Sequence, residues 1–294
     1  MGVLNIIGEN LMKKNLKIII LSGIFLSVLV FPLCAKSKKS KKDSSVRLIQ
    51  IAHTPTNVPY GFLNEKGESD GFEVSVMKAV DELLPQYKFN FNAVSDDELL
   101  IGIETGKYQV GTKGAWLTEE RKKKFLIPSE PIAASVIGLA YRSSDSEKIH
   151  DMDSFAEFSG KLIPISPLSA QYSVIDEYNK SHEGKAQIKL VPSDVFDIAD
   201  SYLWVLEGRY DGYLVLKLSF EKNVLKETGP YHQFAEKLSY VPYKGIPTYP
   251  LFNKKETQLV SDYENAIKIL KENGTIAELS EKYFGENVFD FVTE

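Results

Sequence analysis

The stretch VRLIQIA (residues 46–52) alternates apolar and polar side chains, which predicts a half-buried β-strand. The later stretch GFEVSVMKAVDELL (residues 71–84) places apolar side chains on one helical face: Phe72, Val76, Ala79, Val80 and Leu83. A strand followed by an amphipathic helix is the repeating unit of α/β proteins with parallel strands. These segments therefore predict an α/β fold whose ligands bind at the carboxyl ends of the strands.

The alternation of strand and helix continues in two runs along the chain. The first run continues through YKFNFNAV (87–94), DDELLIGIETG (96–106) and YQVGTKG (108–114). The second run comprises KLIPIS (161–166), AQYSVIDEYN (170–179), IKLVP (188–192), VFDIADSYLWVLEG (195–208) and YDGYLVLK (210–217). Two runs of the same kind predict two similar α/β lobes.

Length and composition agree with two lobes and exclude some partners. The chain has 294 residues, 43% of them hydrophobic, which exceeds the usual size of a single core. A formal net charge of -5 argues against nucleic acid as a partner, because phosphate backbones require clustered lysine and arginine. The four histidines lack the spacing of metal ligands, and no phosphate-binding glycine motif is present. We therefore expect no metal and no cofactor.

Residues 1–35 are expected to be an export signal. Lys13, Lys14 and Lys17 precede an apolar run over residues 18–33, the order typical of a secretory signal peptide. The run is short for a membrane span. Eleven residues before Met12 are unlike an ordinary signal start, so we expect translation to begin at Met12 rather than at Met1.

Cys34 is the only cysteine, so the protein forms no internal disulfide. The surrounding VFPLCAKS (30–37) resembles the lipobox of bacterial lipoproteins, in which the cysteine thiol is acylated, although Leu33 and Pro32 depart from its usual pattern. The alternative is an inert cysteine near a cleavage site after Ala35. The basic residues 36–45 are expected to form a tether to anionic membrane lipids, which places the folded part outside the cytoplasm.

Five further segments resemble, in order, those of bacterial solute-binding proteins of family 3, the receptors of polar amino-acid ABC transporters. They are PYGFLNEKGESDGFEVSVMKAV (59–80), LLIGIETGKYQV (99–110), LTEERKKKFLIPSEP (117–131), VLEGRYDGYLV (205–215) and AIKILKENGTIAELSEKYFGE (266–286). The last of them, together with KGIPTYPLF (244–252), is most similar to the cystine-binding branch.

The resemblance implies a two-lobed periplasmic-binding-protein-like fold of type II, with parallel-sheet lobes joined by two crossover segments. Lobe 1 would comprise residues 46–138 and 243–294, and lobe 2 residues 141–240. The ligand would bind in the cleft, and lobe closure would be recognised by a membrane permease. A monomeric receptor without catalytic chemistry is expected.

The stretch GAWLTEERKKKF (114–125) contains the first predicted ligand contact. Thr118 suits the N-cap of a helix and the two following glutamates suit its first turn, but Arg121 does not suit the positive end of a helix dipole. With an anion present, the guanidinium becomes a forked carboxylate receptor. The resemblance assigns Arg121 to the α-carboxylate of the ligand; the alternative is pairing with a surface acid.

The resemblance implies further contacts in both lobes. The backbone carbonyl of Gly114 would face the ammonium of the ligand. Ser169, Ala170 and Gln171 begin a helix of the second lobe, whose backbone N–H groups would bind the other side of the carboxylate. Ser169 could equally be only a helix cap, and Tyr60 could be packing rather than a wall of the cleft.

Several positions depart from the family pattern on the ammonium side of the site. Leu216 stands where the family has an aspartate that pairs with the ammonium, and Trp116 replaces a hydroxyl side chain. Asn57 and Asp96 stand where aromatic side chains often stack on the ligand. Three explanations remain open: a shifted alignment, a negative charge from Asp96 or Glu73, or a ligand other than an α-amino acid, such as an organic carboxylate or a ring lying on Trp116 or Tyr213.

Two other classes of function remain as alternatives to the receptor. One is a surface lipoprotein or sensor that has kept the fold and changed its ligand. The other is a prephenate-type dehydratase, which would need Asp96 or Glu73 as a general acid with a raised pKa.

Overall fold

The computed structural model describes residues 46–167, 169–193 and 198–292. The signal peptide, Cys34 and the basic tether lie outside these residues. No helix within them combines the length and apolar character that a membrane crossing needs.

A six-stranded sheet forms the centre of the fold, with strand order β5-β1-β6-β9-β7-β8. The strands are β1 Arg47–His53, β2 Thr56–Asn57, β3 Gly61–Leu63, β4 Ser69–Asp70, β5 Tyr87–Ala93, β6 Val110–Trp116, β7 Ala133–Arg142, β8 Gly212–Leu216 and β9 Leu238–Phe252. The helices are α1 Phe72–Leu83, α2 Asp96–Thr105, α3 Glu119–Lys124, α4 Met152–Glu157, α5 Ala170–Ser181, α6 Ile198–Leu206, α7 Lys217–Phe220, α8 Thr257–Glu272 and α9 Thr275–Phe284. A second small sheet joins β2, β3 and β4.

Parallel pairing is present in both predicted runs. Strand β1 pairs in parallel with β5 and with β6, as expected for the first run. In the second run, the predicted strands 161–166 and 188–192 are reduced to isolated parallel bridges, Leu162 with Gly212 and Ile165 with Pro192. The α/β prediction is confirmed, although the second run has fewer regular strands than its sequence pattern indicated.

The two predicted crossovers lie side by side in the sheet. Residues 138–141 and 240–243 belong to β7 and β9, which pair antiparallel along most of their length. The register shifts between Ile137 and Gly138, where a Cβ on Gly138 would lie 2.2 Å from the Val241 carbonyl oxygen. Close backbone approach at this bulge therefore requires glycine.

Apolar side chains form separate clusters along the chain. One cluster packs α1, α8 and α9 on β1 and β5, around buried Phe72, Phe252 and Tyr263. Another packs Phe155, Ile175 and neighbouring side chains of the second run beneath β7 and β8. Of the residues predicted on the apolar face of α1, Phe72, Val76 and Val80 are buried, but Leu83 is 38% exposed.

Candidate functional site

The helix that carries Arg121 begins as its sequence predicts. Thr118 is the N-cap of α3, and its side-chain oxygen accepts a hydrogen bond from the Arg121 backbone N–H at 3.2 Å. The cap satisfies a backbone donor that would otherwise lack a partner in the first turn. Arg121 is therefore held at the third helical position, directly after β6.

The Arg121 side chain does not pair with an acid of its own helix. Glu119 pairs with Lys122 at 2.8 Å and Glu120 with Lys124 at 3.5 Å. The Nη1 atom of Arg121 instead donates to the Trp116 carbonyl oxygen at 2.7 Å. Among the described residues no carboxylate lies within 4 Å of this guanidinium. Most of its five donors thus remain available for an anion.

An open groove of about 620 Å³ runs beside Arg121, and we call it the Arg121 groove. Its lining includes Trp116, the cations Arg121 and Lys124, and the acids Asp97, Glu104 and Glu120. Arg121 and the Trp116 ring are both partly buried. A carboxylate in this groove could reach the guanidinium without first displacing a protein carboxylate.

Gly114 lies in an irregular part of β6. The β6–β9 register shifts between Gly111 and Ala115, and Gly114 has a φ of +64°. Its backbone N–H donates to both carboxyl oxygens of Glu73, each at 3.1 Å. The bulge takes this backbone out of regular pairing with β9, which suits a ligand contact.

Glu73 is fully buried, and its carboxyl group contacts the backbone of the β6 bulge instead of lining a cavity. Burial raises its pKa to about 8, although the Gly114 backbone hydrogen bond and the nearby Thr248 hydroxyl oppose the shift. A carboxyl group so enclosed cannot provide the exposed negative charge that an ammonium needs.

The raised pKa of Glu73 predicts a pH-dependent stability. Between about pH 4.5, the ordinary value, and about pH 8, the folded state keeps a proton that the unfolded state has lost. The free energy of unfolding should therefore fall as pH rises through this window, by at most about 1.4 kcal/mol per pH unit. Glu73→Gln should flatten the corresponding change in Tm between pH 5 and pH 8, whereas Glu65→Gln at an exposed position should leave it unchanged. Parallel profiles for Glu73→Gln and the unmodified protein would refute the assignment.

Asp96 already has a positively charged partner. It forms an ion pair with Lys113, whose side chain is 15% exposed. Lys113 lies within the β6 bulge, and Asp96 is the first residue of α2. Sequence reasoning missed Lys113, because the pairing depends on how α2 packs beside β6. The carboxylate of Asp96 is thus neutralised by the protein itself.

Tyr60 is mainly a packing residue. It is 6% exposed, and its ring meets that of Phe284 edge-on at 5.3 Å. Its hydroxyl donates to the Ala134 carbonyl oxygen at 3.2 Å and lies 3.0 Å from the Ser135 hydroxyl. Trp116 Nε1 donates to the same Ser135 hydroxyl at 3.3 Å.

The second run contributes a small pocket of about 70 Å³, lined by Ser169, Gln171 and Tyr213 among others. Ser169 is the N-cap of α5: its hydroxyl accepts from the Tyr172 N–H at 3.2 Å and donates to the Ser166 carbonyl oxygen at 2.8 Å. Ala170 is the first residue of the helix. The capping role of Ser169 is confirmed, while a ligand contact stays a prediction.

Leu216, the last residue of β8, lines a groove of about 660 Å³ that we call the Leu216 groove. Asn57, Tyr60 and Ser135 are also part of its lining. A Cβ placed on Gly114 would lie 3.7 Å from Asn57 Nδ2 and 3.8 Å from the Tyr60 ring, so the bulge adjoins this groove.

Five of the eight predicted ligand-binding residues line one of three openings. Trp116 and Arg121 share the Arg121 groove, Ser169 and Gln171 share the small pocket, and Tyr60 lines the Leu216 groove, whereas Gly114 and Asp96 are not among the described residues that line them. Within the described ranges, no cluster of three or more histidine, cysteine or acidic side chains is placed to hold a metal ion.

The sequence matches one protein family over most of its length. The model for bacterial extracellular solute-binding proteins, family 3, matches residues 49–286. The chain is 31% identical over 268 residues to the L-cystine-binding protein TcyJ of Bacillus subtilis (strain 168), covering 90% of this chain and 94% of TcyJ. It is 24% identical over 231 residues to the L-cystine-binding protein TcyK of the same organism, covering 77% of this chain and 79% of TcyK.

Solved structures share the fold. The unliganded, open L-cystine solute receptor of Neisseria gonorrhoeae has a TM-score of 0.60 and 22% sequence identity, covering 85% of this chain and 97% of that one. The probable amino-acid ABC transporter extracellular-binding protein ytmK of Bacillus subtilis also has a TM-score of 0.60 and 22% sequence identity. The match covers 82% of this chain and 99% of ytmK. These two likenesses support the two-lobed fold.

Proposed function

The chain belongs to the bacterial extracellular solute-binding proteins of family 3, and from this premise we propose that it binds a small carboxylate-bearing amino acid or amino-acid derivative for an ABC importer. It is an extracytoplasmic solute-binding component of the amino-acid type and not an enzyme. Its homologues work with the permeases of ABC transporters, and we propose such a permease as the partner of this chain.

The observation that carries the ligand class is the Arg121 guanidinium. It is partly buried beside a groove, and none of the carboxylates in the described ranges lies within 4 Å of it. A forked cation in this state is complementary to a carboxylate, which can accept two parallel hydrogen bonds. We therefore assign the α-carboxylate of the ligand to Arg121, with Trp116 beside it.

The remaining assignments follow the two-lobed arrangement. We propose residues 46–138 with 243–294 as one lobe and residues 141–240 as the other, with β7 and β9 as the crossovers. The start of α5, at Ser169, Ala170 and Gln171, would bind the carboxylate when the lobes close. Gly114 would present its carbonyl oxygen, and Tyr60 would support the groove by packing.

Neither acid predicted for the ammonium side of the ligand is available to pair with it. Asp96 is paired with Lys113, Glu73 is fully buried, and Leu216 is apolar. Of the two alternatives, the dehydratase would need one of these acids in a cleft, and the family consists of receptors. A surface lipoprotein or sensor with a non-amino-acid ligand remains the second candidate, favoured by Leu216.

We also propose that Cys34 anchors the protein to the membrane through a lipid, after removal of a signal peptide. The support is the lipobox-like VFPLCAKS and the basic residues 36–45. A monomer on such a tether would suffice for solute capture. Mass spectrometry of the mature N-terminus would show a diacylated Cys34, and an unmodified N-terminus after Ala35 would overturn the proposal.

Thermal unfolding against a ligand panel tests the proposed function. The panel contains the standard amino acids, L-cystine, and carboxylates that lack an amine. A ligand at about a thousand times its Kd adds roughly 4 kcal/mol to the free energy of unfolding, or on the order of 10 °C in Tm. We expect a shift of this size with an amino acid or a derivative. If only amine-free carboxylates raise the Tm, or if no compound does, the result would favour the second candidate, a surface lipoprotein or sensor with a non-amino-acid ligand.

A further inference from the structure

We propose that Lys222 and Lys226 form a binding site for a second anionic group of the ligand, in the Leu216 groove. The inference rests on the proposed function, because it takes the first carboxylate to bind at Arg121. It names the substrate class more closely: an amino-acid-derived solute with two separated anionic groups, such as two carboxylates or a carboxylate and a sulfonate.

Both lysines line the Leu216 groove together with Asn57, Tyr60 and Ser135. Lys222 lies in the π-helical turn Glu221–Leu225, and Lys226 follows it directly. Both side chains are exposed, and neither has a carboxylate within 4 Å among the residues that the structure describes. Two like charges four residues apart repel each other, and a bound anion would offset this cost.

The acid in the wall of this groove does not neutralise the two lysines. Glu221 lies 3.9 Å from Lys217, whose ammonium also lies 2.5 Å from Glu286. Lys217 offsets one of these two carboxylates, and the three lysines together leave a net positive charge of one on this wall of the groove. A net positive charge in a groove attracts anionic ligands.

One hydrogen bond joins the walls of the two grooves. Trp116, which lines the Arg121 groove, donates from Nε1 to the hydroxyl of Ser135, which lines the Leu216 groove. In the proposed arrangement, a ligand whose carboxylate binds Arg121 extends past this contact toward the lysines. The middle of such a ligand would meet neutral side chains, namely Trp116, Ser135 and Leu216.

This arrangement also accounts for Leu216. A ligand whose far end is a lone ammonium would face two lysines and one carboxylate, Glu221, which already lies near Lys217, and this net repulsion disfavours binding. A far end that carries an anionic group would pair with both ammonium groups, and an aspartate at position 216 would weaken that attraction. The charge of this half of the cleft is thus opposite to the charge that an ammonium needs.

Calorimetric titration with matched ligand pairs tests the inference. The pairs are L-glutamate with L-glutamine, and L-cystine with the monoamide of L-cystine, which differ in one anionic group. For any pair that binds, Lys222→Gln/Lys226→Gln should weaken the ligand with two anionic groups about 10-fold and the other by less than about 2-fold. Increasing salt should weaken the first ligand more steeply in the unmodified protein than in the variant.

The control is Lys189→Gln/Lys237→Gln, which removes the same charge from two exposed lysines outside the grooves. It should leave both ligands unchanged. Equal weakening of both ligands by the groove variant, no weakening, or the same loss in the control would overturn the inference while the proposed function stands. If no ligand of the panel, including the standard amino acids, binds the unmodified protein, the proposed function is overturned and this inference with it.

Discussion

Replacing Arg121 with alanine is expected to weaken binding of the preferred ligand about 100-fold. The guanidinium is the partly buried cation without a nearby carboxylate in the Arg121 groove, so its loss would leave the ligand carboxylate without its main partner. Removing one partner of a desolvated charged pair costs about 2 to 4 kcal/mol. The measurement is calorimetric titration with the ligand that gives the largest thermal shift.

The fold should tolerate this change. Arg121 makes one side-chain hydrogen bond in the described structure, to the Trp116 carbonyl oxygen, and the cap at Thr118 uses the backbone N–H that alanine retains. Arg121→Lys should recover only part of the affinity, because an ammonium cannot make the forked contact. Lys122→Ala, next on the helix and exposed, is the matched control. Unchanged affinity in Arg121→Ala would mean that the ligand carboxylate binds elsewhere.

Gly71→Ala is expected to destabilise the fold by about 4 kcal/mol, or roughly 8 to 16 °C in Tm. Gly71 has φ +116° and ψ 170°, a conformation that an L side chain rarely adopts. A Cβ there would lie 2.6 Å from the Tyr60 carbonyl oxygen. That carbonyl accepts the Glu73 N–H at 2.8 Å, so the clash would separate the Tyr60 loop from the start of α1.

Gly67→Ala separates backbone strain from the clash. Gly67 also has a positive φ, +75°, but a Cβ there would meet no heavy atom within 4 Å. Gly67→Ala should therefore lower the free energy of unfolding by about 1 kcal/mol, from the backbone conformation alone. Thermal unfolding of both variants is the measurement. If Gly71→Ala costs no more than Gly67→Ala, the close approach to Tyr60 does not constrain the fold.

Local sequence patterns predicted much of the fold and part of the site. Thr118 caps α3, Ser169 caps α5, and Gly106 ends α2 in a left-handed conformation, as their residue types indicate. Such features depend on neighbours within four residues, so sequence alone suffices. Leu83 failed as a core residue because its exposure depends on what packs at the end of α1.

Family membership was also readable in the sequence, because five ordered segments at the right spacing are specific together. By itself the sequence determined the α/β class and the receptor family, and it predicts Arg121 as the contact for a ligand carboxylate. Only the tertiary structure decided the charges around the grooves: Lys113 neutralises Asp96, Glu73 is buried and accepts the Gly114 N–H, and Lys222 and Lys226 line one groove with Asn57. These contacts join distant segments through sheet order and helix packing, which local periodicity does not encode.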